Sequence, residues 1–143
     1  MAKVSDLLSG KGPQVHAIGP DEPVLAAIQI MADKSVGALL VMREGALAGI
    51  VSERDIVKAL AAHGADCLTQ AVASVMSNPV RTCRISDPID HVMHLMTAGR
   101  FRHVPVVENR ELKGVVSIGD VVKLKIAETE LEVAAMRDYI AAH

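Results

Sequence analysis

Two stretches of the chain carry a serine hydroxyl and a carboxylate at the same spacing. They read Gly49-Ile50-Val51-Ser52-Glu53-Arg54-Asp55 and Gly114-Val115-Val116-Ser117-Ile118-Gly119-Asp120. In each, a short apolar run of strand character leads into the serine and a helix is predicted to follow it. Such a pair can do two things. It can act as a cap, with hydroxyl and carboxylate satisfying the orphan amides of the first turn. It can also hold a ligand, because a helix start offers amides and a positive dipole end to phosphate. An ionised carboxylate accepts two hydroxyl hydrogen bonds at once, as a ribose diol would present them, and apolar strand residues could wall a purine. The glycine three residues before each serine predicts open room beside the pair.

The elements that must position these residues are written twice as well. Residues 15–58 match 80–123 without a gap: Val15 with Val80, Pro23 with Pro88, Met31 with Met96, Val41 with Val106, and Lys58 with Lys123. Upstream, "VSDLLS" (4–9) faces "VASVMS" (72–77). Each copy predicts a short strand (15–18, 80–83) and then a helix opened by proline, with Leu25, Ile28 and either Met31 or Ala32 on its inner face in the first copy. Two strands around a tight turn follow (37–42 with 47–51; 103–107 with 112–116), and then the helix that begins at the serine. The expected fold is α/β (α+β): two pseudo-symmetric β-α-β-β-α units over 4–64 and 65–125, packed sheet to sheet. Residues 126–143 lie outside the repeat and predict a helical extension, with Ile126, Leu131, Ala134 or Ala135, Met136 and Ile140 as a stripe for packing.

Composition narrows the function classes. Half of the residues are apolar and the net charge is −2, so the chain has a folding composition without a general pull on nucleic acid. Phe101 and Tyr139 are the only aromatics, which leaves no stacking platform for single strands. No apolar run is long enough to span a membrane, and the first residues make a poor signal peptide. Cys67 and Cys83 have neither CxxC nor framework spacing, so a reduced, cytoplasmic setting is expected. His91 and His94 with Cys83 do not complete a zinc set, and no nucleophile–base pair stands out.

With the doubled Gly-x-x-Ser-x-x-Asp, the helix-opening prolines and "HVPVV" (103–107), residues 4–125 resemble a tandem pair of cystathionine-β-synthase (CBS) domains, the Bateman module of stand-alone bacterial signal-transduction proteins. The resemblance implies a non-enzymatic sensor of adenosine ligands: AMP, ADP or ATP, with NAD(H) or S-adenosylmethionine as further candidates. By position, Asp55 and Asp120 would hold ribose hydroxyls beside Ser52 and Ser117. Arg102 and His103, near Arg100, would meet phosphate. Val15, Ile18, Val80 and Cys83 would line adenine pockets, and Pro105, on the same strand as His103, would also contribute to ligand binding. Arg54 would contribute to ligand binding in the first copy only, being matched by Gly119, and Arg102 and His103 are matched by Gly37 and Ala38, so the two sites are expected to differ. The resemblance also implies a homodimer and a regulated partner protein. The competing expectation is an interaction scaffold with vestigial sites that works through its last helix.

Overall fold

The computed structural model describes residues 2–9 and 16–142, arranged as two compact units. One comprises Val15–Val80, and the other joins Met1–Gln14 to Arg81–His143.

In the first unit, β1 (Ala17–Ile18) runs parallel to β2 (Ala38–Arg43) through the crossover helix α2 (Val24–Lys34), and β3 (Ala46–Ser52) returns antiparallel to β2. Glu44 and Gly45 form the two-residue turn with φ of 50° and 80°, the double positive φ of a type I′ hairpin. The register slips just before Gly49, leaving Ala48 as a bulge. Helix α3 (Glu53–His63) starts at Ser52 and ends at Gly64. The core is built from Val24, Ala27 and Met31 of α2 against Leu39, Val41, Val51, Ile56 and Val72.

The fully buried face of α2 is therefore 24/27/31; of the expected Leu25, Ile28 and Met31 or Ala32, Met31 is buried and Ile28 packs partly against the core, but Leu25 is 44% exposed. The buried face begins at the first helical residue after Pro23, one position earlier than the expected stripe. Met31→Ala should accordingly cost about 2–5 kcal/mol in chemical denaturation, and Leu25→Ala well under half of that.

The second unit repeats the plan with α4 (Ile89–Gly99), β4 (His103–Glu108), β5 (Glu111–Ser117) and α5 (Ile118–Ala142). Asn109 and Arg110 make its hairpin turn, with φ of 52° and 66°, and Lys113 is the bulged residue. The core again uses 65-residue equivalents: Ile89, Val92 and Met96 against Val104, Val106 and Val116. One strand is curtailed. The expected strand at 80–83 is reduced to a single parallel bridge, Cys83 with Val106. Pro105 explains this: its counterpart Leu40 donates its N–H to His16 O at 3.0 Å, and proline has no N–H to give to the residue matching His16.

The units do not follow the 64/65 boundary drawn from the repeat. Residues 70–73 bind the first unit through Val24 N to Gln70 O, Val72 N to Glu22 O and Ala73 N to Pro20 O, at 2.8–2.9 Å. Residues 2–5 make the equivalent bonds to the second unit: Ile89 N to Ala2 O, Val4 N to Asp87 O and Ser5 N to Ile85 O, at 2.9–3.0 Å. Helix α1 (Val4–Ser9) opens the first repeat in sequence, yet Val4 is fully buried in the core of the second unit.

Helix α5 buries only Val121 fully, although Lys125 Nζ reaches Asp90 Oδ1 of α4 at 3.1 Å. Beyond that, at 100° per residue, Ile126, Val133, Met136 and Ile140 fall within a sector of about 80°, whereas Leu131 lies outside it. Ala134 and Ala135 also fall outside, Val133 joins in their place, and all four residues of the sector are exposed.

Candidate functional site

Strand β3 delivers Ser52 to the start of α3 in extended conformation (φ −116°, ψ 166°), which suits a residue that caps a helix rather than joins it. Ser52 N and Oγ donate to Asp55 Oδ2 at 2.9 and 3.0 Å, and Asp55 N donates to Ser52 Oγ at 3.3 Å. This is a complete capping box. Ser77, which the sequence reading did not single out, donates its hydroxyl to Asp55 Oδ1 at 2.9 Å. Its signal was the matched "VSDLLS" and "VASVMS" stretches, which both end in serine. The carboxylate is thus held through both oxygens, by one backbone and two hydroxyl donors, while one of its roughly four acceptor positions remains. Serine hydroxyls rotate freely, so a ligand diol can take over their acceptor positions without moving the backbone.

In the second unit Ser117 Oγ donates to Asp120 Oδ2 at 2.7 Å, and Asp120 N donates to Ser117 Oγ at 3.3 Å. His103 is the cross-strand partner of Ser117. Arg102 accepts the first amide of α5, Ile118 N, on its backbone oxygen at 2.8 Å. Arg102, His103, Ser117 and Asp120 therefore gather at one helix start. In the first unit Gly37 O accepts Glu53 N at 3.0 Å in the same way, but no basic side chain occupies that position. Instead, a Cβ placed on Gly37 would stand 3.5 Å from Glu53 Cδ and Oε1, so a carboxylate covers it. Arg54 is exposed on the first turn of α3.

The remaining expected residues divide differently. Val15 lies outside the described residues. Ile18 and Cys83 are buried in the cores of their own units, opposite Val41 and Val106, three residues along the strand from Ala38 and His103. That spacing is roughly 10 Å along the strand. Burial, with the Asp87 carboxylate nearby, pushes the Cys83 thiol up to about 12, so it stays protonated at neutral pH. Pro105 is buried opposite Val115. Val80 is partly buried at the end of the first unit.

The glycines have another role than the one expected. A Cβ on Gly49 would lie 2.6 Å from Met76 Sδ and 2.9 Å from Ser77 O, and one on Gly114 would lie 2.9 Å from Leu8 Cδ2. The room they open is filled by the segment that crosses each sheet, which brings Ser77 to Asp55.

A family profile described as CBS domain matches this chain twice, over residues 4–62 and 72–126. The chain is similar to the CBS-domain-containing protein ATU1752 of Agrobacterium tumefaciens, at 44% identity and a TM-score of 0.84, over 87% of this chain and 99% of that one. It is 33% identical to the mitochondrial CBS domain-containing protein CBSX3 of Arabidopsis thaliana, over 96% of this chain and 71% of the relative. It also resembles the CBS domain pair of protein MJ0100, solved in complex with 5′-methylthioadenosine and S-adenosyl-L-methionine: 29% identity and a TM-score of 0.77, over 90% and 98% of the two chains. With both repeats matched and the Ser–Asp pair formed at each helix start, the chain belongs to the CBS-domain family as a tandem pair.

Proposed function

We propose that this CBS pair is a regulatory module that binds adenosine-containing ligands at its two helix starts, without a chemical step. The observation that carries the reading is the doubled Ser-x-x-Asp, built with the same hydroxyl–carboxylate geometry in both repeats. The pair of MJ0100 bound to adenosine derivatives supports it. Asp55 and Asp120 accept ribose hydroxyls, while Ser52, Ser77 and Ser117 yield or share the acceptor positions. By the resemblance, Val15 and Val80 are left to contribute to the walls, since Ile18, Cys83 and Pro105 are buried in their own units.

The two sites take different ligands. Arg102 and His103 favour a phosphate at the second helix start, so AMP, ADP, ATP or NAD(H) belongs there. The Glu53 carboxylate over Gly37 repels phosphate at the first, which suits an uncharged or cationic adenosine derivative such as S-adenosylmethionine. Regulation arises from the difference in ligand affinity between two arrangements of the module, since a ligand that binds both equally shifts nothing. The regulated protein is a separate cytoplasmic partner.

Two experiments test this. Mass spectrometry of small molecules released from protein purified without added ligand should find adenosine compounds. In a thermal-shift panel, AMP and S-adenosylmethionine should raise Tm by several degrees, about 2.7 kcal/mol at a hundredfold excess over Kd, and GMP should not. A flat panel overturns the proposal and leaves the scaffold role of α5.

The module works as a homodimer. Ile126, Val133, Met136 and Ile140 line one exposed sector of α5, and helices in proteins draw most of their stability from packing such a face rather than from propensity. A two-fold axis lets that sector cover itself. Light scattering should find a dimer for the full chain, and a chain ending at Ala127 should dissociate at higher concentration. A full-length monomer contradicts this.

A further inference from the structure

The second unit has a cleft of about 490 Å³ at the hairpin end of its sheet, lined by Thr82, Cys83, Arg84, Asp87, His91, Val107, Asn109 and Arg110. It is at the far end of β4 from His103, roughly 15 Å along the strand. It is thus distinct from the helix-start cluster.

The internal duplication supplies a control. Stepping back 65 residues, the same positions in the first unit are Ala17, Ile18, Gly19, Glu22, Ala26, Met42, Glu44 and Gly45. There the charged residues are two glutamates. In the second unit Arg84, His91 and Arg110 replace Gly19, Ala26 and Gly45, while Asn109 replaces Glu44. A pair of acidic charges has become two guanidiniums, an imidazole and one carboxylate, all facing one cavity. General surface drift would scatter such changes.

Arg110 is informative on its own. It takes φ of 66° at the second turn position, where the first unit has Gly45 at 80°. A left-handed arginine is disfavoured where glycine is at ease. The chain keeps the less comfortable residue at the point where its side chain lines the cleft.

The donors define the ligand. Two guanidiniums can fork onto phosphate oxygens, and Thr82, His91 and Asn109 add further donors. Asp87 Oδ2 already accepts Arg84 N at 2.8 Å, and Glu108 Oε2 nearby accepts Ile85 N at 3.3 Å. Val107 and Cys83 are the only apolar lining residues, too few to wall a base. The volume falls in the range of small-molecule sites and exceeds what a bare phosphate fills. We propose that this cleft is a second anion site of the module, taking a small phosphate-bearing molecule through Arg84 and Arg110.

The test uses the full chain, with amide NMR and inorganic pyrophosphate as the probe. Saturable shifts are expected at residues 82–91 and 107–111. Arg110→Gly and Arg84→Gly, which restore the first unit's residues, should each weaken binding at least tenfold. Arg110→Gly should fold with equal or higher Tm, which separates lost binding from lost structure. Adenosine, which has no phosphate, should leave these amides unmoved whether or not it binds at the helix starts, so the cleft and the nucleotide reading fail independently. Pyrophosphate shifts confined to Arg102, His103 and Asp120, no saturation below 10 mM (about the weakest affinity a specific site of this kind would have), or variants that titrate like the parent would each overturn the proposal.

Discussion

Asp120→Ala should weaken AMP binding about a hundredfold while leaving S-adenosylmethionine binding within a few-fold of the parent. The expected size follows from the bonds lost. A carboxylate holding two ribose hydroxyls makes two charge-assisted hydrogen bonds, each worth about 1.5–3 kcal/mol, and even the low end of their sum is two decades in Kd. Asp55→Ala should do the reverse, because that helix start, with Glu53 over Gly37, is the one proposed for a ligand without phosphate. Each variant also loses hydrogen bonds with its capping serine. The accompanying loss of stability should be about 1 kcal/mol, too little to unfold the chain at the temperature of the titration. Calorimetry of the two variants against both ligands reads the result. If each variant weakens both ligands equally, the sites are not distinguished by charge.

Gly49→Ala is expected to damage the fold well beyond its size. The new methyl would meet Met76 Sδ at 2.6 Å and the backbone oxygen of Ser77 at 2.9 Å. The methionine can turn away. The backbone oxygen cannot, because Ser77 is bonded to β3 in both directions, Ile50 N to Ser77 O at 3.1 Å and Ser77 N to Ile50 O at 2.8 Å. Moving that segment would also pull the Ser77 hydroxyl from Asp55, so the variant should lose about 1–3 kcal/mol of stability and weaken binding at the first helix start. At Gly114 the close neighbour is Leu8 Cδ2, the end of a flexible side chain, and Gly114→Ala should cost clearly less. Urea denaturation of the two variants side by side gives the comparison, and equal midpoints would contradict it.

The sequence made the frame of each repeat legible because local rules and buried faces agree there. The Ser-x-x-Asp spacing implied a cap, and the cap forms. Asn109-Arg110 implied a turn between two apolar runs, and it closes a two-residue hairpin. The curtailed strand at 80–83 was missed although its signal was present, since the missing N–H of Pro105 is a property of the residue and not of its surroundings. The crossing of the covering segments was not readable. "VSDLLS" and "VASVMS" are so alike that each could make the same backbone bonds to either repeat, and only the three-dimensional path of the chain decides which it covers. The role of Gly49 was misread for the same reason: the space beside it was expected to be open, and a segment 27 residues downstream fills it. At α2 the missed face was a matter of one residue in the starting phase, which shifted the stripe from Leu25 to Val24.

The central claim is that adenosine ligands are held by the two Ser–Asp helix starts. An amide NMR titration of the full chain with AMP, 5′-methylthioadenosine and GMP tests it most directly. AMP should move the amides of His103 and Ser117–Asp120, 5′-methylthioadenosine those of Ser52–Asp55 and Ser77, and GMP neither group. If AMP and 5′-methylthioadenosine leave both groups in place, or GMP moves them as far, the helix starts are caps alone and the account is wrong.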